Sequence, residues 1–347
     1  MVDRRSLATG VLALLVALSQ VVSGHAQGQA TGQAPGQASG QTPPAGAPPG
    51  RGAGAGGGGR GGGGFGGRGP AFTPAAGAKD LKSVLYNWTW HMGMLRSGAE
   101  SELIKTLDYH ADGGTIQVNG QACAVTKARI QANYQIPGYR TQIECTLPNK
   151  QTYKNVETMS GDFAWDEDIP GAELVPGKGK ATPKPAALEE RRIRLWASPQ
   201  GAPKAAIAGA AGMPTTESFG KNPATLLDAQ ATAGVKGTTT LAWQGDKAIV
   251  TYPIPGVPGA IATATLDNTF LPERIVVKSG TNTTEFVYSN FQDFNNPLFK
   301  IEALMPATLV ERRNGTVVRE LKSKVTEIGQ IYVIVPVPDS VRKAAGK

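Results

Sequence analysis

Short segments in which apolar and polar residues alternate make up much of this chain. The clearest pair, Ala307–Arg312 and Thr316–Lys322, flanks Asn314-Gly315, a dipeptide that strongly favours a β-hairpin. Two further segments, Lys324–Ile328 and Ile331–Val335, continue the pattern toward the C-terminus. Because a period of two gives each strand one apolar face, the sequence predicts an antiparallel meander in this region.

The same alternation recurs upstream, where Gly, Pro or Asn residues separate most of the segments. These segments predict strands at Ile104–His110, Thr115–Val118, Ala124–Tyr134, Tyr139–Leu147, Thr238–Gln244, Lys247–Tyr252, Ile261–Leu266, Arg274–Lys278 and Thr283–Phe291. Helical patterns are found at Ala186–Trp196 and in the Ala-rich stretch Pro203–Ala211. The stretches Val175–Pro185 and Gly209–Gly237 show only weak patterns. The sequence therefore predicts a mainly β (α+β) fold, a large open antiparallel sheet with a few helices packed on one face.

The stretch that follows Asp80 has two possible interpretations. Asp80 predicts the N-cap of a short helix that carries Leu81, Val84 and Leu85. Beyond that helix, alternate positions are apolar or aromatic: Tyr86, Trp88, Trp90, Met92 and Met94. A continued helix would instead align Leu81, Leu85, Trp88, Met92 and Leu95. The strict alternation favours a strand with one apolar face.

Residues 1–26 have the layout of a secretory signal peptide. Arg4 and Arg5 precede the apolar run Val11–Val22, and small residues lead to Ala26, after which we expect cleavage. The first cysteine of the chain is Cys123, so the leader lacks the cysteine of an acyl-anchored lipoprotein. We expect a protein exported to the periplasm or the exterior of a bacterium, with no transmembrane segment in the mature chain.

Residues 27–78 form a low-complexity linker. They hold 20 of the 45 Gly residues, first in Gly-Gln-Ala repeats and then in a Gly-rich segment with Arg51, Arg60 and Arg68. An Arg-Gly segment also suits RNA, but export removes that partner, so no nucleic acid is expected. Residues 1–78 carry four of the eight net positive charges, which leaves a mildly basic, β-rich domain over residues 79–347.

The two cysteines of the chain, Cys123 and Cys145, lie on strands that are predicted to be close together. In an oxidising compartment this pattern favours a disulfide over two buried thiols. A tight hairpin at Ile136-Pro137-Gly138 would instead place Cys145 opposite Arg129. The disulfide therefore requires a longer loop or an intervening strand.

The sequence offers little catalytic chemistry. The mature chain has only His91 and His110, too few histidines for a dinuclear hydrolase site. Carboxylates cluster around Trp165 as in a glycosidase, but their setting favours a solvated turn: Asp162, Asp166, Glu167 and Asp168. Gly-x-Ser-x-Gly does not occur. We expect no catalytic residues, no metal and no cofactor, although an enzyme is not excluded.

A charged run lies in the predicted helix Ala186–Trp196. Glu189 and Glu190 precede Arg191, Arg192 and Arg194. Such a run is typical of a solvated outer helix face, and less often of an anion site.

Several short motifs are spread over most of residues 80–342. They are Gly161-Asp162-Phe163-Ala164-Trp165, Glu190-Arg191-Arg192, Leu195-Trp196, Pro199, Gly201, Lys204-Ala205-Ala206, Leu271-Pro272-Glu273-Arg274-Ile275, Tyr288-Ser289, Asp293-Phe294, Pro336-Val337-Pro338-Asp339 and Val341-Arg342. Together they resemble a known exported bacterial domain that often precedes a metallo-β-lactamase-fold hydrolase domain. That domain is similar to the envelope lipoprotein-carrier and sigma-factor-regulator group, whose open half-barrel sheet has helices in its concave side. The resemblance implies an apolar ligand or a lipidated partner in that concavity and no chemistry of its own. The hydrolase domain has no counterpart here.

Aromatic and methionine side chains are the candidate ligand-binding residues of such a concavity: Trp88, Trp90, Met92, Met94, Trp165, Trp196 and Trp243. The alternative for each is an ordinary place in the core. The first functional hypothesis is an exported, non-catalytic protein that binds an apolar small molecule, a lipid or a lipidated protein. The second is a structural or interaction component of the envelope, or of an extracellular assembly, that binds another envelope protein. A hydrolase comes third.

Overall fold

A computed structural model describes residues 74–94, 104–210, 238–294, 303–328 and 333–346. All of them belong to one contact-defined unit, Gly64–Lys347. The predicted signal peptide, almost all of the predicted linker and most of the weakly patterned stretch Gly209–Gly237 lie outside these residues. The domain boundaries proposed from the sequence stay predictions.

The described residues form a single antiparallel sheet of thirteen strands. Its strands are β1 Thr106–Val118, β2 Gln121–Asn133, β3 Gly138–Thr146, β4 Thr152–Ser160, β5 Phe163–Glu167, β6 Ala181–Pro183, β7 Thr240–Gln244, β8 Lys247–Pro253, β9 Ile261–Leu266, β10 Pro272–Ser279, β11 Asn282–Asp293, β12 Leu304–Arg313 and β13 Thr316–Ile328. Two meanders, β1–β6 and β7–β13, are joined where β1 pairs with β13, and β6 and β7 form the edges. The predicted mainly β, half-barrel-like fold is confirmed.

Within the described ranges, four helices accompany the sheet: α1 Leu81–His91, α2 Leu188–Trp196, α3 Gly201–Gly209 and α4 Asp339–Ala344, with a 3-10 turn at Pro185–Ala187 before α2. Helices α1, α2 and α3 share the main apolar core with one face of the sheet. Helix α4 packs against β5 and β6, where a second cluster gathers around Trp165. None of the helices within the described ranges is long and apolar enough to cross a membrane.

Most predicted strands are confirmed, but several boundaries were wrong. Ile104–His110 and Thr115–Val118 belong to one strand, β1, whose register shifts where the chain passes Gly113 and Gly114. Lys324–Ile328 continues β13, and the described residues 333–335 are not in a strand. The sequence prediction missed β4, β5 and β6, because their apolar residues do not mark one face clearly.

The predicted strand over residues 86–94 is wrong, because this segment continues helix α1 as far as His91. The Asp80 carboxylate caps the helix by accepting hydrogen bonds from the Ser83 backbone N–H at 3.0 Å and from the Ser83 hydroxyl at 2.6 Å. The helical period places Trp88 and Met92 in the core, whereas Trp90 is 37% exposed. Trp88 and Trp90 therefore do not share one apolar face.

The predicted disulfide between Cys123 and Cys145 is present, and it joins β2 to β3 with a Cα–Cα distance of 5.5 Å. The turn between these strands is longer than a tight hairpin, so Asn133 pairs with Gly138. A bulge between Val125 and Lys127 then places Cys145 opposite Val125, two residues from Cys123. The longer turn and the bulge together bring the two cysteines close enough for the disulfide, which a tight hairpin would not.

Adjacent glycines in β1 give a matched test of the fold. We expect Gly114→Ala to lower the free energy of unfolding by at least about 2 kcal/mol more than Gly113→Ala. Both glycines have positive φ, but a Cβ at Gly114 would lie 2.1 Å from the Glu320 carbonyl oxygen, whereas at Gly113 its nearest neighbour is the flexible Lys322 side chain at 3.5 Å. Urea unfolding of both variants measures the difference, and equal losses would contradict the close approach of β1 and β13.

Candidate functional site

Helix α2 lies against the core face of the sheet, and its arginines do not form a solvated outer face. That prediction is wrong for Arg191 and Arg194, which are 3% and 7% exposed. Apolar residues occur on several sides of this short helix, including Ile193, Leu195 and Trp196. A helix that is apolar on more than one side is typically buried, and this signal in the sequence could have corrected the prediction.

Arg194 is the centre of a buried ion-pair network. Its guanidinium group contacts Glu157 of β4 at 2.8 Å, Glu311 of β12 at 3.0 Å and Glu190 of its own helix at 2.8 Å. Arg319 of β13 adds contacts to Glu157 at 3.5 Å and to Glu311 at 3.7 Å. The network connects α2 with strands of both meanders, since β4 belongs to the first and β12 and β13 to the second.

The glutamate and arginine side chains of this network stay ionised. Burial alone would raise the pKa values of the two strand carboxyl groups, but Arg194 and Arg319 outweigh it and lower the pKa values of Glu157 and Glu311 to about 2. Burial opposes the charge on Arg194 as well, and the carboxylates of Glu311 and Glu157 raise its pKa above the ordinary range. Each charge therefore depends on the others.

Arg192 joins the two meanders at the opening of the concave side. Its Nη1 donates to the carbonyl of Gly256, in the β8–β9 turn, at 2.6 Å. Its Nη2 donates to the carbonyl of Gly161, in the β4–β5 turn, at 2.8 Å and to the Asp162 carboxylate at 2.7 Å. These four residues line a pocket of about 340 Å³ together with Trp196, Pro137 and Pro255. We call this space the mouth pocket.

Between α2 and the sheet the concave side is nearly filled. Tyr109, Tyr134, Tyr139 and Tyr288 are among the residues around a cavity of only about 20 Å³, and Arg194 closes it from the helix. That volume holds roughly one water molecule. Burial raises the pKa values of Tyr109, Tyr134 and Tyr288, so their hydroxyls stay protonated. In this conformation the cavity has no room for an acyl chain.

The structure places the seven candidate ligand-binding residues in several different surroundings. Four are in the main core: Trp88, Met92, Met94 and Trp196, and of these Trp196 also reaches the mouth pocket. Trp165 belongs to the second cluster. Its neighbour in β5, Ala164, pairs with the main-core residue Met159, and consecutive strand residues face opposite sides of the sheet, so Trp165 faces away from the main core. Trp90 is partly exposed and stacks on Tyr86, with ring centroids 5.9 Å apart. Trp243 is on the edge strand β7 and donates to the Lys79 carbonyl at 3.1 Å.

The acidic residues near Trp165 have structural partners. Glu167 is buried and accepts hydrogen bonds from the Trp165 indole at 2.9 Å, from Arg140 at 3.1 Å and from the Gly171 backbone at 2.6 Å. The predicted solvated turn is therefore wrong for Glu167. Asp166 is bound to Arg191 at 2.5 Å. Glu167 and Asp166 thus take part in holding β5 and α2.

The two histidines lie on different elements, His91 at the end of α1 and His110 in β1. His91 stacks on Phe270 with ring centroids 5.9 Å apart, and His110 is 3.6 Å from Asp108. Within the described ranges, no group of three or more His, Cys, Asp or Glu residues could hold a metal ion.

Comparison with known proteins gives structural likenesses. A crystal structure from Vibrio parahaemolyticus, described as an outer membrane lipoprotein-sorting protein domain, aligns with 77% of this chain and 100% of its own, with 6% identity and a TM-score of 0.36. No protein family signature and no curated protein sequence matches this chain. The resemblance to the exported domain that precedes hydrolases therefore stays a prediction.

The ion-pair network makes stability depend on pH. The pKa values of Glu157 and Glu311 are about 2 in the folded protein against an ordinary 4.5. Lowered pKa values stabilise the folded state above pH 4.5, and this contribution is lost as the pH falls from 4.5 toward 2. We expect Glu311→Gln to cost about 3–5 kcal/mol at pH 7, because it leaves buried arginines without their partner, and to weaken the acid dependence.

The exposed ion pair of Glu144 with Lys154 provides the control. Glu144→Gln should cost less than about 1 kcal/mol and leave the acid dependence unchanged. Urea unfolding at pH 7 and pH 3 measures both variants. The same loss in both variants would show that the buried network does not hold α2.

Proposed function

We propose that this protein is an exported, non-catalytic binding protein that holds an apolar or lipid-like ligand, or the acyl chain of a lipidated partner, in its concave face. The observation that carries the proposal is Arg192, which closes the opening of the concavity by side-chain hydrogen bonds to the turns of two meanders. Such bonds break and re-form without any change in strand pairing. Helices α2 and α3, which we call the cover, lie over the concave face, and the cover opens locally at the Arg192 contacts.

The composition of the cover supports this proposal. Helix α3 presents small residues to the core, among them Ala202, Ala205, Ala206 and Ala208, and all are buried. Small side chains interlock less deeply than large ones, so a helix that carries them is displaced at lower cost. Because the space under α2 is about 20 Å³ and the ion-pair network holds α2 on the sheet, ligand binding requires α3 to move away from the sheet.

The mouth pocket supplies an access route. Its volume is about 340 Å³, and Trp196 connects it to the core, where the ring of Trp196 lies 6.2 Å from that of Tyr134. An acyl chain that enters between Gly161 and Gly256 would first meet this aromatic surface. Aromatic side chains suit a ligand of variable shape, since they offer large apolar area with few rotatable bonds.

The proposed compartment is the periplasm or the exterior of a bacterium. It rests on the leader-like residues 1–26 and on the disulfide between Cys123 and Cys145, a bond that forms in oxidising compartments.

A second candidate function is that of an envelope or assembly component that binds another protein. The nearly filled space under α2 favours this alternative, because a ready-made lipid site would be larger. In this case the linker over residues 27–78 would act as a tether.

Native mass spectrometry separates these two functions. We expect the mature protein, purified from its own bacterial envelope, to carry a lipid that organic extraction releases, and the stripped protein to melt at a higher temperature when lipid is returned. Phosphatidylethanolamine–phosphatidylglycerol vesicles and single-chain lipids serve as probes. A ligand-free protein whose melting temperature ignores every probe would overturn the lipid-binding proposal in favour of the partner-binding alternative.

The closing role of Arg192 is tested by kinetics. We expect Arg192→Ala to speed the uptake of a fluorescent acyl-chain probe about 10-fold, because the three hydrogen bonds that Arg192 donates across the opening are lost. Arg274→Ala removes a guanidinium from an exposed ion pair with Glu285 on the sheet and should leave uptake unchanged. Stopped-flow fluorescence measures both rates. Equal uptake by wild type and Arg192→Ala would contradict the proposed route.

A further inference from the structure

The loop between β5 and β6, residues 168–180, carries large apolar side chains that are exposed to solvent. Ile169, Leu174 and Val175 are 46%, 44% and 51% exposed. A single exposed apolar residue is ordinary on a protein surface. Three in one loop are typical of a surface that meets a lipid or another protein. Neither the packing of the sheet nor the proposed function uses these three side chains.

Internal hydrogen bonds fix the shape of this loop. The Asp168 carboxylate accepts from the backbone N–H groups of Ile169 at 2.8 Å and of Lys180 at 2.7 Å, which ties the two ends of the loop together. Within the loop, the Glu173 N–H donates to the Lys178 carbonyl at 2.7 Å. Because these backbone groups already have partners, the loop meets an apolar phase at a lower cost than a loop with unpaired N–H groups.

Four lysines lie around Ile169. Lys178 and Lys180 are exposed, and the glycine between them lies against the Ile169 side chain. Lys127 and Lys154 are exposed as well, and they line a groove of about 390 Å³ together with Ile169. Lysine carries its charge on a long flexible stem, so an ammonium group can reach an anion while its stem lies along an apolar surface.

The carboxylates of this region are engaged within the protein. Glu144 is 3.0 Å from Lys154, Asp168 accepts the two loop N–H groups described above, and Glu173 Oε1 accepts from the Ala181 N–H at 2.9 Å. The four lysines outnumber these three carboxylates, which leaves the region positively charged. Lysine is depleted in protein–protein interfaces, whereas lysine beside exposed aliphatic side chains is typical of a surface that rests on anionic lipid.

The groove beside the loop lies on the face of the sheet away from α2. Val156 lines this groove together with Ile169. Its neighbour Glu157 contacts Arg194 of α2 at 2.8 Å, and consecutive strand residues face opposite sides of the sheet, so Val156 faces away from α2. A surface bound here therefore lies on the opposite side of the sheet from the concave face.

We propose that the β5–β6 loop docks this protein on the surface of an anionic lipid bilayer. Ile169, Leu174 and Val175 enter the boundary between the lipid headgroups and the acyl chains, and the four lysines contact lipid phosphates. The docking surface goes beyond the proposed function, because it uses the opposite face of the sheet and does not depend on what the concave face holds.

Vesicle cosedimentation tests this inference on the mature chain. We expect binding to phosphatidylethanolamine–phosphatidylglycerol vesicles to be at least about 10-fold tighter than to phosphatidylethanolamine–phosphatidylcholine vesicles, and to weaken as salt is added. Equal affinity for both vesicle types would overturn the role of the lysines. Binding to neither would overturn the bilayer as the partner and leave a protein as the occupant of this surface. The ligand of the concave face is measured separately, by the lipid that co-purifies with the protein.

Substitutions in the loop identify the docking side chains. We expect Leu174→Ser with Val175→Ser, and separately Lys178→Glu with Lys180→Glu, to weaken binding to the anionic vesicles at least about 10-fold. Ile261→Ser removes a side chain that is 42% exposed on β9 and is the control, which should change the affinity less than about 2-fold. Urea unfolding verifies that each variant is folded. Unchanged binding by both loop variants would overturn the inference, and the comparison of the two vesicle types on the wild type holds even if a variant does not fold.

Discussion

The contact between Arg194 and the carboxylates of β4 and β12 determines where helix α2 lies. Apolar packing alone would let a short helix slide or rotate on a curved sheet, because the hydrophobic effect is not directional. A guanidinium group that must meet Glu157 and Glu311 within about 3 Å has far fewer acceptable positions. The rest of the cover follows from this contact, since α2 leads directly to α3 and places Arg192 between the two turns that it bridges.

Ion pairs of this kind contribute more to the choice of structure than to its stability. Removing charges from water costs several kcal/mol for each ion, and the attraction between partners offsets this cost only when the geometry is good. Arg191 follows the same logic, because it donates to the carbonyls of Thr158 and Trp165 in neighbouring strands at 2.8 and 2.6 Å. Three arginines in one short helix thus fix its position against both halves of the sheet, although the sequence shows them only as a charged run.

The sheet was largely predictable from the sequence, and the cover was not. Alternation and turn residues are local signals, so the hairpin at Asn314-Gly315 and most predicted strands of the second meander were correct. The segment from Tyr86 to Met94 fits both the strand period and the helix period. The burial of Trp88 against Tyr252, a residue of the distant strand β8, decides for the helix. The same limit applies to the candidate site. Arg194 contacts Glu311, which lies more than a hundred positions away in the sequence. A local sequence pattern does not contain this partner, so it cannot show whether Arg194 faces Glu311 or water.

The pairing of β1 with β13 has a consequence for how the protein is made. The first and last strands of the sheet are neighbours at its centre, so the centre cannot form until the final part of the chain is available. Contacts between such distant segments slow folding, because the loop between them must close first. If the chain is exported, it would therefore cross the membrane with its sheet incomplete. The two cysteines of the β2–β3 hairpin are only 22 residues apart, so their disulfide can form before the last strand is available.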